Sequence, residues 1–218
     1  MEEQASAIVH WRIDAWFPDL SKDALDKLKK YRDELMKANK AVNLISVKTI
    51  FLADAIHFAD SILACRIIQE SNPTLQEIYD FGSGNGFPGV IYGILFPKVK
   101  VILVDSDVKK VEFLKSATEA LGLKNVSTRC VGLESLPANS VQACMARGLS
   151  NISKSILLSR RVVPIGGAFY HIKGDNWSGE VGEIPTQLCS VWTPTLVKLY
   201  KLPIGESKFA VIKTVKIA

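Results

Sequence analysis

The chain has 218 residues, of which 48% are hydrophobic and 22% charged, as is ordinary for a soluble globular protein of one or two domains. No apolar run approaches the ~20 residues needed to span a bilayer, which argues against a membrane protein. The stretch Met1–Gln4 lacks the basic and apolar segments of a signal peptide, and the four cysteines form no C-x-x-C pair. We therefore expect a cytoplasmic protein with free thiols and no metal site.

Charge is distributed unevenly along the chain. Residues 1–70 carry 10 Lys+Arg and 11 Asp+Glu, whereas residues 71–218 carry 17 and 11, a net charge of +6. A basic segment of this kind favours a polyanionic partner such as nucleic acid. Surface charge that serves only solubility would give the same net charge. The net charge alone therefore does not distinguish a nucleic-acid-binding protein from one that is merely soluble.

The first third of the chain is predicted to be helical. Apolar residues recur at helical spacing after Ser21, a typical N-cap residue, with Asp23 in the first turn. Pro73 follows the last of these segments and cannot continue a helix. The predicted helices span about residues 1–17, 22–38 and 49–69. We expect residues 1–72 to form an N-terminal helical cap.

From residue 73 onward, short apolar runs alternate with helical segments. The predicted strands span about residues 78–79, 99–104, 126–131, 141–146, 168–172, 188–192 and 209–215. The intervening helices span about residues 90–96, 109–121 and 152–163. This alternation predicts an α/β fold with a mostly parallel sheet covered on both faces, closed by an antiparallel pair. We expect residues 73–218 to form a seven-stranded, Rossmann-like domain.

A glycine-rich turn follows Asp80 at the end of the first predicted strand. Its glycines are Gly82, Gly84, Gly86 and Gly89. Glycines allow positive φ and let a ligand approach the backbone, and the free amides of the next helix favour an anionic group. Asp105 ends the second strand, where a carboxylate can accept hydrogen bonds from both hydroxyls of a ribose. The pattern predicts a nucleoside-binding βαβ unit.

Two cofactor classes fit this turn. The spacing Gly84-x-Gly86-x-x-Gly89 with Asp105 beyond it matches the dinucleotide fingerprint, which indicates an NAD-dependent oxidoreductase. Asp80, however, would repel a pyrophosphate and suits the cationic amino group of S-adenosylmethionine. The residues therefore favour S-adenosylmethionine, with NAD as the alternative.

The turn from Asp80 to Gly89 resembles that of the bacterial 16S rRNA guanine-N7 methyltransferases, the RsmG or glucose-inhibited division B family. Other stretches agree with the family in order. They are Tyr31–Leu44 (Y-x-x-x-L-x-x-x-N-K-x-x-N-L), His57–Ser61 (H-x-x-D-S), Asp105-Ser106, Ala146-Arg147-Gly148 and Lys173-Gly174. The resemblance covers about residues 21–215.

The resemblance implies a class I S-adenosylmethionine-dependent methyltransferase that acts on N7 of a guanine in 16S rRNA. Guanine N7 carries a lone pair and no proton, so alignment of the reactants matters more than a general base, and no catalytic residue is assigned. The implied partner is 16S rRNA or the small ribosomal subunit, and we expect a monomer. A non-catalytic RNA-binding module is the second alternative.

The resemblance also implies the binding residues. The expected cofactor-binding residues are Asp80, Gly82, Gly84, Gly86, Phe87, Asp105, Leu133, Glu134 and Arg147. Leu133 and Glu134 match the adenine-side loop after the third strand, and Arg147 can contact either the cofactor or the RNA. Lys173 ends the fifth strand and, with Arg147, is an expected substrate contact. His57, on the cap, is expected to serve packing.

Overall fold

The computed structural model describes residues 10–218. Residues 1–9, which include Met1–Gln4 and part of the predicted first helix, lie outside the described residues. The α-helices of the cap region are α1 (Ile13–Trp16), α2 (Lys22–Ala38) and α3 (Asp60–Ser71). Within residues 10–218, no helix combines the length and the apolar character that crossing a membrane requires.

Helix α2 begins where the sequence predicts. The Ser21 side chain accepts a hydrogen bond from the Ala24 amide at 3.2 Å, which satisfies one of the free donors at the helix start. Leu28, Tyr31 and Leu35 are fully buried on one face of the helix. This apolar face joins the cap to the core of the α/β unit.

The predicted helix over residues 49–69 is interrupted in its first half. A short 3-10 turn (Ile50–Leu52) and a π-helical segment (Asp54–Ala59) precede α3. Buried Asp54 accepts hydrogen bonds from the Arg12 amide at 3.0 Å and from the Arg12 guanidinium at 2.9 Å. Contact with the chain before α1 thus orders this segment, which regular helical spacing alone does not predict.

The predicted seven-stranded, mostly parallel sheet is confirmed. Its strands are β1 (Glu77–Phe81), β2 (Lys100–Asp105), β3 (Val126–Cys130), β4 (Ala143–Arg147), β5 (Ala168–Lys173), β6 (Trp192–Lys201) and β7 (Lys208–Lys216). The strand order is β3-β2-β1-β4-β5-β7-β6, with β7 antiparallel to both of its neighbours. The remaining helices are α4 (Gly89–Leu95), α5 (Val108–Ala120), α6 (Ile152–Ser159), α7 (Trp177–Gly182) and α8 (Thr186–Cys189).

The predicted strand over residues 188–192 is wrong. Pro185 precedes helix α8, and β6 begins only at Trp192, which is buried. Strand β6 then continues at the edge of the sheet through exposed and half-buried residues, including Pro194. An edge strand can be polar on both faces and can accept proline, so its sequence lacks the apolar alternation that identifies a buried strand.

The strand order reverses between β1 and β4, and this reversal positions the candidate site. Strands β2 and β3 lie on one side of β1, whereas β4 and β5 lie on its other side. In such sheets, ligands bind in the crevice beyond the carboxyl ends of the strands at this point. Asp105, Arg147 and Lys173 each end a strand at that edge.

An aromatic cluster links the cap to the turn after β1. The Phe87 ring lies 5.6 Å from the Tyr31 ring and 4.9 Å from the Phe58 ring, both in edge-to-face geometry. The Tyr31 hydroxyl also donates to the Asn85 carbonyl at 2.5 Å. The turn is therefore held from below by side chains of α2 and of the π-helical segment.

Candidate functional site

The turn after β1 adopts the conformation that its glycines predict. Gly82, Gly84 and Gly86 have φ of 69°, 51° and 84°, a region that residues with a Cβ rarely occupy. The Gly84 amide donates to Asp105 Oδ2 at 2.8 Å, so the acid at the end of β2 also fixes the turn. Asp105 Oδ1 accepts from the Asp107 amide at 2.9 Å.

A first cavity of about 540 Å³ opens above this turn. Six of the residues predicted to bind the cofactor line it, namely Gly82, Gly84, Asp105, Leu133, Glu134 and Arg147. Leu133 and Glu134 lie on the short 3-10 turn after β3, where Leu133 is buried and Glu134 is exposed. The first cavity therefore offers a carboxylate at the end of β2 and an apolar side chain at the end of β3.

Asp80 is buried beneath the turn, Gly86 is a buried residue of the turn itself, and neither lines the first cavity. Asp80 is buried, and its Oδ2 accepts from the Gly89 amide at 3.1 Å. Its Oδ1 has no hydrogen-bond partner among residues 10–218. Burial raises the pKa of Asp80 to about 7, while the hydrogen bond from the Gly89 amide opposes this shift.

The shifted pKa of Asp80 predicts a pH-dependent stability. Because the pKa is raised in the folded state, the folded protein binds this proton more tightly than the unfolded chain does. The resulting stabilisation is complete below about pH 4, the ordinary pKa of the carboxyl, and is lost as pH rises through about 7. Between pH 5 and pH 8, we expect the wild type to lose about 2 kcal/mol of unfolding free energy relative to Asp80→Asn. Urea unfolding at the two pH values measures the difference.

The exposed Asp26→Asn variant is the control for that comparison. It should follow the wild type at both pH values, because its carboxyl is solvated in either state. Burial lowers the pKa of His57 and of His171 to about 3, which stabilises the fold as pH rises, equally in all three proteins. A parallel pH dependence of the wild type and Asp80→Asn would show that Asp80 does not titrate in this range.

Gly86 is required by packing as well as by φ. A Cβ at this position would overlap the Tyr31 hydroxyl and come within 2.8 Å of the Val90 side chain. At Gly122, φ is 66° and a Cβ would meet nothing within 4 Å. Comparing a substitution at Gly86 with one at Gly122 therefore separates the steric cost of a side chain from its conformational cost.

We expect Gly86→Ala to lower the unfolding free energy by about 3 kcal/mol, and Gly122→Ala by only about 1 kcal/mol. Removing the Tyr31 hydroxyl relieves the overlap. Gly86→Ala should therefore cost less stability in a Tyr31→Phe background than in the wild type. Denaturant unfolding of the variants tests this. Equal losses for the two glycine variants would mean that Tyr31 does not constrain the turn.

Arg147 connects the cap to the carboxyl edge of the sheet. Its Nη1 donates to Asp60 Oδ2 at 2.8 Å and to the Ile56 carbonyl at 2.9 Å. Its guanidinium carbon lies 5.4 Å from the centre of the Phe87 ring. Tyr200 donates to the other oxygen of Asp60 at 2.6 Å, so both carboxylate oxygens are satisfied. The cap thereby fixes the guanidinium at the site.

His57 accepts a hydrogen bond through Nδ1 from Arg147 Nη2 at 3.0 Å. Its ring stacks on Phe87, with the ring centres 5.3 Å apart. Burial, together with the charge of Arg147, lowers the pKa of His57 to about 3. The ring is thus neutral near pH 7 and holds Arg147 against the aromatic cluster, as the predicted packing role requires.

A second cavity, of about 620 Å³, adjoins the first. Gly82, Asn85, Arg147 and Gly148 line both cavities and form their shared wall. Phe87 and Lys173, two of the predicted binding residues, line the second cavity only. The site therefore has two compartments that meet at Arg147.

Several residues of this site escaped the sequence-based prediction. The H-x-x-D-S pattern was recognised, yet only the structure shows that Asp60 pairs with Arg147, 87 residues away. The sequence predicts no strand at Tyr200 and no helix at Glu180, which lines the second cavity, so neither residue carries a local signal. Asn85, which donates to the Leu44 carbonyl at 3.0 Å, could have been found, since both residues lie in stretches that resemble the family.

Comparison with known proteins identifies the family. The sequence model of the GidB family, described as rRNA small subunit methyltransferase G, matches residues 24–197. A Bdellovibrio bacteriovorus protein named ribosomal RNA small subunit methyltransferase G 3 is 59% identical over 217 residues, covering 100% of this chain and 98% of that protein. A Paracoccus denitrificans protein named ribosomal RNA small subunit methyltransferase G is 31% identical, covering 72% of this chain and 80% of that protein.

A solved structure agrees with the fold class. A protein described as a SAM dependent methyltransferase from Aquifex aeolicus superposes with a TM-score of 0.57 at 18% identity, covering 83% of this chain and 98% of that chain. The predicted class I methyltransferase fold and the predicted family are thus confirmed. The chain belongs to the rRNA small subunit methyltransferase G family.

Proposed function

We propose that this protein transfers a methyl group from S-adenosylmethionine to N7 of a guanine in 16S rRNA. The observation that carries the proposal is the pair of adjoining cavities with Arg147 in their shared wall. A transfer reaction needs two binding compartments whose reacting atoms meet at one point. The first cavity is proposed for the donor and the second for the acceptor base.

The first cavity suits S-adenosylmethionine. Asp105 is placed to accept hydrogen bonds from the ribose, and Leu133 and Glu134 from the turn after β3 are placed to contact the adenine. Gly82 and Gly84 keep the floor free of side chains, since a Cβ on Gly82 would come within 2.8 Å of Leu149. When bound, the donor supplies a methyl group activated by a positively charged sulfur.

Asp80 has a different proposed role from the one its sequence position indicates. Because it is buried under the turn, it acts on the donor through the backbone that it holds at Gly89 and through its charge. This indirect role replaces the direct contact with the amino group of the donor that the sequence predicts. Gly86 likewise acts indirectly, as the residue of the turn that packs against Tyr31.

The chain needs to orient the acceptor and to exclude water, since guanine N7 carries no proton that a base must remove. Arg147 is held rigidly by Asp60, His57 and the Ile56 carbonyl, so it can position a ligand with little loss of conformational entropy. Lys173 lies at the same edge on β5, with its side chain 10% exposed. These two cations are the proposed substrate contacts.

The proposed partner is 16S rRNA or the small ribosomal subunit. The names of the Bdellovibrio and Paracoccus relatives support this assignment, as does the net charge of +6 over residues 71–218. We propose that residues 1–72 act as the cap and residues 73–218 as the methyltransferase domain. We further propose that the protein acts as a monomer in the cytoplasm.

Transfer of a labelled methyl group to undermethylated small subunits, with the modified base mapped, tests the proposal. We expect one guanine to gain label at N7. Calorimetry should show binding of S-adenosylhomocysteine and not of NAD. Binding of NAD alone would favour an oxidoreductase, and RNA binding with transfer at background would favour a non-catalytic RNA-binding module.

A further inference from the structure

Lys173 and Glu180 form a partly buried ion pair in the wall of the second cavity. Lys173 Nζ lies 2.8 Å from Glu180 Oε2, and the two side chains are 10% and 21% exposed. Lys173 also donates to the Ser150 carbonyl at 2.6 Å. Glu180 Oε2 also accepts from the Ile152 amide, at the start of α6, at 3.0 Å. Both side chains are therefore fixed in position.

Each partner keeps one unused hydrogen-bonding group. An ammonium group has three N–H donors, and the structure shows Lys173 using two of them. Glu180 Oε1 accepts no hydrogen bond from residues 10–218, and the side chain lines the second cavity. The second cavity is thus lined by one side chain with a hydrogen-bond donor to spare and by a neighbouring one with a carboxylate oxygen to spare.

The sheet fixes where Lys173 lies relative to Arg147 in the shared wall. Arg147 on β4 pairs in register with Ile172 on β5, the residue before Lys173. Lys173 therefore lies one strand beyond Arg147, and its partner Glu180 lies on α7, the helix that follows β5. Lys173 and Glu180 both contact the segment that follows Arg147, at the Ser150 carbonyl and the Ile152 amide respectively.

We propose that the Lys173–Glu180 pair selects guanine in the second cavity, an inference that rests on the proposed function. Around the edge of guanine, N7 is followed by the O6 acceptor and then by the N1–H donor. Lys173 donates to O6 and Glu180 Oε1 accepts from N1–H, which directs N7 to the shared wall. Adenine presents an amino donor and an unprotonated N1 at these positions, so it would place donor against donor and acceptor against acceptor.

The test compares Glu180→Gln with Glu183→Gln, an exposed change shortly after α7. The substrates are small subunits assembled on 16S rRNA that carries guanine, adenine or 1-methylguanine at the mapped position. For guanine, we expect Glu180→Gln to reduce kcat/KM by 10- to 100-fold and to narrow the preference over adenine by at least tenfold. Glu183→Gln should match the wild type.

A substrate change tests the same contact in the unmodified protein. The wild type should methylate 1-methylguanine at least tenfold more slowly than guanine, because N1–H is gone while O6 and N7 remain. Equal rates on these two bases, or an unchanged guanine preference in Glu180→Gln, would overturn the proposal. An equal loss of activity on all acceptors in Glu180→Gln, together with a lowered unfolding temperature, would also overturn it. That result would mean that Glu180 only supports α6 and Lys173. No transfer by the wild type to any guanine would instead reject the proposed function.

Discussion

Arg147→Ala is expected to reduce methyl transfer by at least 100-fold. Arg147 lines both cavities and belongs to the wall that the proposed donor and acceptor compartments share. Its loss removes a fixed cation from the point where we propose that the reactants meet, and misplacement by about 1 Å can cost such a factor. Labelled transfer to undermethylated small subunits measures the effect.

The same change should lower the unfolding free energy by about 3 kcal/mol, because it leaves the buried Asp60 carboxylate without its cationic partner. Arg66→Ala is the matched control. Arg66 pairs with Asp19, whose side chain is 65% exposed, so its loss should cost no more than about 1 kcal/mol. Wild-type activity and stability in Arg147→Ala would remove this residue from the site.

Asp105→Ala is expected to weaken binding of S-adenosylhomocysteine by more than tenfold. The carboxylate is proposed to accept charge-assisted hydrogen bonds from the ribose, and the loss of such bonds has this scale. Its Oδ2 also holds the Gly84 amide at 2.8 Å, so the change loosens the floor of the first cavity. Isothermal titration calorimetry measures the dissociation constant.

Asp107→Ala separates ligand binding from helix capping. Asp107 caps α5 by accepting hydrogen bonds from the Lys109 and Lys110 amides at 3.0 and 3.3 Å. Its replacement should cost about 1 kcal/mol of stability and leave ligand affinity unchanged. If Asp105→Ala bound the ligand as tightly as this control does, the ribose contact would be wrong.

The sequence predicts the first cavity well because its parts are local. Positive φ in a short turn requires glycine, and an acid that directly follows an apolar strand lies at the edge of the sheet. Gly82, Gly84 and Asp105 therefore come together as soon as β1 and β2 pair in parallel, a pairing that the alternation of strands and helices already indicates.

The second cavity depends on contacts that are distant in the chain. Asp60 and Tyr200 meet although 140 residues separate them, and no periodicity encodes such a pairing. The burial of each acid is also not evident from the sequence. The glycine spacing does not show that Asp80 lies beneath the turn while Asp105 lines the first cavity. The exposed edge strand β6, which carries Tyr200, lacks the alternation by which strands are recognised.

A crystal structure with S-adenosylhomocysteine is the most direct test of the proposed donor site. We predict the ribose hydroxyls within hydrogen-bond distance of Asp105, the adenine against Leu133, and the sulfur directed toward the wall that contains Arg147. A nucleoside bound elsewhere, or a first cavity filled by side chains of the protein at saturating ligand, would contradict the proposal.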